Sequence, residues 1–293
     1  MKTRIKRWLS RLNIKVSKLS NFKPEYIASF DDILELDYMP LDVGIVIDAE
    51  TSKGRAMPIF DYGNSSIHPF VFAAKNYSNS EEDIYSVLKS YYSLVTPKTA
   101  LDVFGIKRSN EREKENYPYW AVLMPWDFDT YEQWSYKVRT SVRKENQRMG
   151  EDLQIESGWA WIGPSDDRKA MIEAKRLYSV LTSIKANGYK RNDNHDGDII
   201  ATVLITEDGN WIWQSTAGQH RACCAAAIGM RKVPIRINKI VRRGDVKYWP
   251  NVQRGVYSVS EALQIFDCVF YNKFNHVACN WKRHIERDLK AKK

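Results

Sequence analysis

Cysteine is scarce: Cys223, Cys224, Cys268 and Cys279 are the only four in 293 residues, and no two have the Cys-x-x-Cys spacing of zinc or dithiol redox sites. A reduced, intracellular protein is the expectation. No run approaches the ~18 apolar residues of a membrane span, and the N-terminus has no uninterrupted apolar stretch to serve as a signal peptide. Gly (14) and Pro (10) are too few for a collagen-like or low-complexity chain. Acidic residues are missing from positions 1–23, which hold eight Lys and Arg.

What is present suits a folded body: 43% of residues are hydrophobic and 12% aromatic, ten of them Trp, and the length fits two domains. The net charge of +9 is unevenly placed. Residues 1–23 carry +8 and residues 282–293 carry +4, which leaves residues 24–281 at −3. A fold that grips duplex DNA shows its positive excess on the fold itself, so nucleic acid is the less favoured partner. Ile5, Trp8, Leu9 and Leu12 stand at helical spacing among basic residues. This reads either as an amphipathic helix on an anionic membrane surface, through residues 1–20, or as a basic helix capping its own domain. The expected location is cytoplasmic, peripheral to the inner face of a membrane in the first case.

The expected organisation is α+β: a basic arm over 1–23, an α+β module over 24–150, a second, mixed α/β domain over 151–262 and a basic helical tail over 263–293. In the module, apolar runs at 43–47 and 69–73 alternate with polar turns, and Glu81 to Leu94 reads as a helix begun by Asn79-Ser80. Tyr119 to Met124 reads as a strand closed by Pro125, and Tyr131 to Met149 as a polar helix. Ser165-Asp166-Asp167 opens a helix whose apolar positions run to Ile184, and Asn187-Gly188 stops it. Ile199 to Thr206, the turn Glu207-Asp208-Gly209-Asn210 and Trp211 to Gln214 form a hairpin. An Ala-rich helix then ends at Gly229, and Val233 to Ile237 is a further strand.

Between that hairpin and that helix stand Ser215-Thr216-Ala217-Gly218-Gln219-His220-Arg221. A glycine at the mouth of a helix lets backbone approach a phosphate, and the first helical N–H groups aim at it with the positive end of the dipole. Arg221 adds a planar charged fork, and His220 a second donor. Together they make an anion cradle.

The ordered set of helix, Asn-Gly stop, hairpin, cradle, small-residue helix, Gly229 and Val233-Pro234-Ile235 resembles the N-terminal nucleotide-binding domain of the chromosome-partitioning ParB family. It is also similar to the related fold of sulfiredoxin and of a free-serine kinase. The likeness covers about residues 165–260. It implies a bound nucleoside triphosphate, ATP or CTP, with Mg²⁺, and contacts from Ser215, Thr216, Gly218, Gln219, His220 and Arg221. The sequence departs from the pattern in telling places. Gln219 stands where sulfiredoxin has its Cys, so the thiolate chemistry is absent. Asn251 and Arg254 lie near the spacing of the family's metal and nucleotide motif, with Pro250 in place of its acid; a polar turn explains them equally well. No helix-turn-helix follows.

The loop 188–198 packs acidic, basic and His side chains together. Its calcium-loop reading fails because Val203 holds the twelfth position. It reads either as a functional loop, with Lys190 or Arg191 on phosphate and Asp196 or Asp198 on Mg²⁺ or as base, or as a solvated turn. Asp127-Phe128-Asp129 is better explained as a helix cap than as a metal triplet, and Cys223 as helix packing than as a nucleophile. The resemblance thus implies a Mg²⁺-dependent phosphotransferase or NTP hydrolase acting on a small-molecule or sugar acceptor, with Asp196, Asp198 and His220 as catalytic candidates. A DNA-associated binding protein or nuclease, and a non-catalytic regulatory nucleotide-binding module, are the alternatives.

Overall fold

The computed structural model describes residues 25–27, 35–36, 45–58, 60–63, 68–77, 79–106, 117–191, 198–273, 280–281, 283–285 and 287. The basic arm, Asp196 and most of the loop around it, and Cys279 lie outside these. The architecture is α+β. Six strands, β1 (Glu25–Ile27), β2 (Ile45–Glu50), β3 (Gly54–Arg55), β4 (Ile199–Ile205), β5 (Trp211–Ala217) and β6 (Lys232–Arg242), form one sheet in the order β1-β2-β6-β4-β5-β3. The β4–β5 and β2–β6 pairs are antiparallel, and β4–β6 is parallel. Strand β4 reads Ile-Ile-Ala-Thr-Val-Leu-Ile and is buried at six of its seven positions, as a strand covered on both faces requires.

The helices are α1 (Pro69–Asn76), α2 (Glu81–Leu94), α3 (Ala100–Phe104), α4 (Tyr131–Gln147), α5 (Asp167–Asn187), α6 (Gln219–Ala227), α7 (Pro250–Gln253) and α8 (Val259–Phe270). Their starts follow the sequence: Ser80, Thr130, Asp166 and Ser258 each accept a backbone N–H as N-cap. Helices α1, α2, α5 and α6 pack on one another. The run at 69–73 lies in α1 and is buried throughout. Among the described residues no helix is long and apolar enough to cross a membrane.

Strands from residues 25–55 and from 199–242 share this sheet, with β6 between β2 and β4. One apolar cluster runs from Leu36 to Ile285. The boundaries drawn at 150 and 262 correspond to no division of the sheet or of this core.

Residues 119–124 do not form the expected strand. Ala121 to Met124 are fully or almost fully buried but pair with no strand. Side chains take the place of a ladder. The Tyr257 hydroxyl donates to Leu123 O at 2.5 Å, and Asn251 Nδ2 donates to Met124 O at 3.0 Å and Asp127 O at 2.9 Å. Buried carbonyls need donors, and a side-chain donor serves as well as a strand.

Candidate functional site

Strand β5 runs into Gly218, which adopts φ 73° and ψ 20°, and α6 begins at Gln219. The left-handed backbone is what glycine tolerates. A Cβ there would lie 2.8 Å from Asp198 O and 2.9 Å from Ile199 Cα. No side chain caps α6, so the N–H groups of its first turn have no acceptor within the helix and present the positive end of its dipole.

Successive helical residues are turned by roughly 100°, so Gln219, His220 and Arg221 diverge. His220 points inward to Glu173, at 2.9 Å from Nε2 to Oε2. Its ring lies 4.8 Å from Trp161 and 5.4 Å from Phe70. Arg221 lies near Tyr189, as do Arg191 and Asp198. Burial raises the Tyr189 phenol to about 12, with Asp198 adding to the rise while Arg221 and Arg191 oppose it. Arg221 Nη1 is shut off from solvent without a hydrogen-bond partner. Gln219, only 6% exposed, also has a buried Oε1 with no partner. Unpaired buried polar atoms are costly.

Beneath the helix mouth lies a buried charge cluster that the sequence did not reveal. Lys169 and Glu173 are fully buried and meet at 2.6 Å. Arg176 Nη1 donates to both Glu173 oxygens at 2.9 and 3.0 Å, and Lys169 Nζ also donates to Asn146 Oδ1. Burial works to raise the Glu173 pKa, but Lys169, Arg176 and His220 outweigh it and hold the carboxyl well below its usual range. Glu173 is therefore ionised, and His220 Nε2 is the donor to it.

A cavity of 240 Å³ opens between α4 and residues 159–161. Trp134, Val138 and Val142 line one wall, Trp159 and Trp161 the other, and Thr216 and Gln219 reach it from the strand-to-helix junction. The Tyr91 and Tyr92 hydroxyls fix the second wall by donating to Trp161 O at 2.7 Å and Ala160 O at 2.6 Å. Trp134 Nε1 is also buried and unpartnered.

The remaining sequence candidates divide. Asp198 stands next to Gly218, but Arg191 grips it at 2.9 Å. Lys190 is exposed. Thr216 is exposed and donates to Ile200 O at 3.3 Å. Ser215 is fully buried, 2.6 Å from the Tyr62 hydroxyl, and donates to Arg55 O. Asn251 is fully buried, spends its amide on the carbonyls of 124 and 127, and receives Arg254 Nη1 at 3.1 Å; Arg254 also donates to Asp129 O. These two residues sit against a segment that does not line the cavity. Asp127 pairs with Lys239 and Asp129 with Lys137.

The described residues do not fit a Mg²⁺ cage. The carboxylate of Asp198 is taken by Arg191, the Asn251 amide by peptide carbonyls, and no group of three or more His, Cys, Asp or Glu suited to a metal occurs among the described residues. The missed residues carried a partial signal: Lys169, Glu173 and Arg176 are spaced four and three apart, which reads as an exposed ion-pair stripe. Trp134, Trp159 and Trp161 carried none.

Behind α6, Cys223 and His68 are both buried, with Sγ 3.6 Å from Nε2. The His68 Nδ1 accepts from Phe70 N–H, which leaves the proton on Nε2. Burial, with His220 nearby, lowers His68 from 6.5 to about 3, and burial pushes the Cys223 thiol well up. Both groups are neutral, unlike the charged pair of a nucleophilic cysteine. Because the folded pKa is depressed, the unfolded chain binds a proton that the folded chain refuses. The stability owed to neutral His68 is complete above about 6.5 and falls as pH descends toward 3. Between pH 7 and 4.5 the wild type is expected to lose roughly 2–3 kcal/mol more than His68→Gln. Urea unfolding at both pH values checks this, and parallel losses would contradict it.

Comparison of the chain with family models, curated proteins and solved structures returned no match.

Proposed function

We propose that this chain binds a nucleoside triphosphate, ATP or CTP, with its phosphates on the backbone N–H groups that open α6. The observation that carries the reading is the uncapped helix mouth at Gly218, with the unpartnered Arg221 Nη1 beside it. An anion there would meet the helix dipole and the Arg221 fork together. The pairing of Asp198 with Arg191 and the inward turn of His220 to Glu173, between Phe70 and Trp161, favour a nucleotide-binding module over a phosphotransferase or hydrolase, because the Asp198 carboxylate is already paired and His220 turns inward.

Titration of ATP, CTP, GTP, UTP and inorganic triphosphate into the full chain tests the reading. Arg221→Ala should weaken binding about 10- to 150-fold, or roughly 1.5–3 kcal/mol, through loss of a charge-assisted contact. Arg221→Lys should recover part of it, and Cys223→Ala should stay within about twofold, since that thiol is packing. Silence of Arg221→Ala would overturn the reading.

A further inference from the structure

We infer that the cavity between α4 and residues 159–161 receives the planar base of the bound nucleotide. This deepens the phosphate-site reading above and rests on it for the position of the phosphates. Two independent features point to a ring-shaped, polar-edged occupant. The first is the wall material: three indoles, Trp134, Trp159 and Trp161, surround 240 Å³, a volume below the ~300–1,000 Å³ of drug-sized sites and suited to one ring system. Bases stack on aromatic faces without regard to sequence.

The second is a pair of complementary unmet hydrogen bonds. Trp134 Nε1–H is a buried donor with no acceptor, and Gln219 Oε1 is a buried acceptor with no donor. Both residues line the cavity. A nucleobase carries both donors and acceptors on its edges, the two kinds of partner that these atoms lack. A sugar offers many hydroxyls, each of which needs a partner, but other polar groups at this cavity are already engaged: Lys137 by Asp129 at 2.7 Å, and Glu145 with Arg176 at 3.8 Å. Thr216 and Gln219, which line the cavity, stand two residues before Gly218 and one after it. A ring in the cavity is therefore joined to the helix mouth by the same short segment.

The test uses the full chain, with ATP, CTP, GTP, UTP, inorganic triphosphate, adenosine and cytidine as probes. Trp134→Phe keeps the aromatic wall and deletes the N–H; Gln219→Met removes the unpaired oxygen. Thermal unfolding without ligand identifies which variants remain folded. At least one nucleotide is expected to bind tenfold or more tightly than inorganic triphosphate. Trp134→Phe or Gln219→Met should weaken that nucleotide by about 3- to 10-fold, the worth of one hydrogen bond, while triphosphate binding stays within twofold. Triphosphate binding as tight as every nucleotide, with both variants silent, would overturn the base pocket and leave the phosphate site standing. Adenosine or cytidine binding that is sensitive to Trp134→Phe, with no binding of triphosphate, would uphold the base pocket and remove the phosphate site.

Discussion

Glu173→Gln is expected to destabilise the chain by about 3–5 kcal/mol, the usual cost of removing one partner from a buried ion cluster. The substitution keeps the shape of the side chain but removes its charge and turns one accepting oxygen into an N–H donor that faces other donors. Lys169, fully buried, would then face Asn146 and a neutral amide, and Arg176 would lose both of its charge-assisted contacts. Against a total stability of roughly 5–15 kcal/mol for a typical domain, much of the folded population is at risk. The loss should be read by urea unfolding near neutral pH, where Glu173 is ionised. Lys169→Met combined with Glu173→Met should cost less than the sum of the two single changes, because the pair is removed together. A Glu173→Gln loss of under about 0.5 kcal/mol would mean that the cluster's charges are screened, contrary to their burial.

Gly218→Ala is expected to have the second large effect, on the site more than on the fold. At φ 73° a side chain is strained, and its Cβ would press on the backbone of Asp198 and Ile199, so β4 and the helix mouth must part. Strain of this kind costs about 1–3 kcal/mol. The displaced N–H groups should reduce triphosphate and nucleotide binding alike. This separates the change from Trp134→Phe, which acts on the nucleotide alone. Equal loss of stability with unchanged triphosphate binding would show that the phosphate lies elsewhere.

Much of the local structure was legible because the relevant signals are short-range. Ser80 and Asp166 announce their helices by capping chemistry, Asn187-Gly188 ends α5, and Glu207 to Asn210 turns β4 into β5. The Gly218 junction was legible for the same reason. What escaped depends on contacts distant in sequence. Residues 119–124 have the composition of a strand, but their carbonyls are met by Asn251 and Tyr257, more than 120 residues away. Glu173 reads as one member of a solvent-facing stripe until α6 and the residues around Asn146 close over it. Asn251 matches a nucleotide motif by spacing, yet the fold spends its amide on a loop. The Trp134 cavity needs α4 and residues 159–161 to meet, and no local pattern encodes that meeting. The sheet shared between residues 25–55 and 199–242 was hidden for the same reason, since β2 and β6 pair across nearly 200 positions.

Phosphate binding at the N-terminus of α6, as proposed, would be reported directly by the backbone amides there. In a ¹⁵N-labelled sample titrated with a nucleoside triphosphate, the amide resonances of Gln219, His220 and Arg221 are expected to shift together and saturate at the affinity found by calorimetry. In Gly218→Ala those shifts should vanish. Saturable nucleotide binding that leaves these three amides unmoved, with its largest shifts elsewhere in the chain, would rule out a phosphate site at this helix mouth.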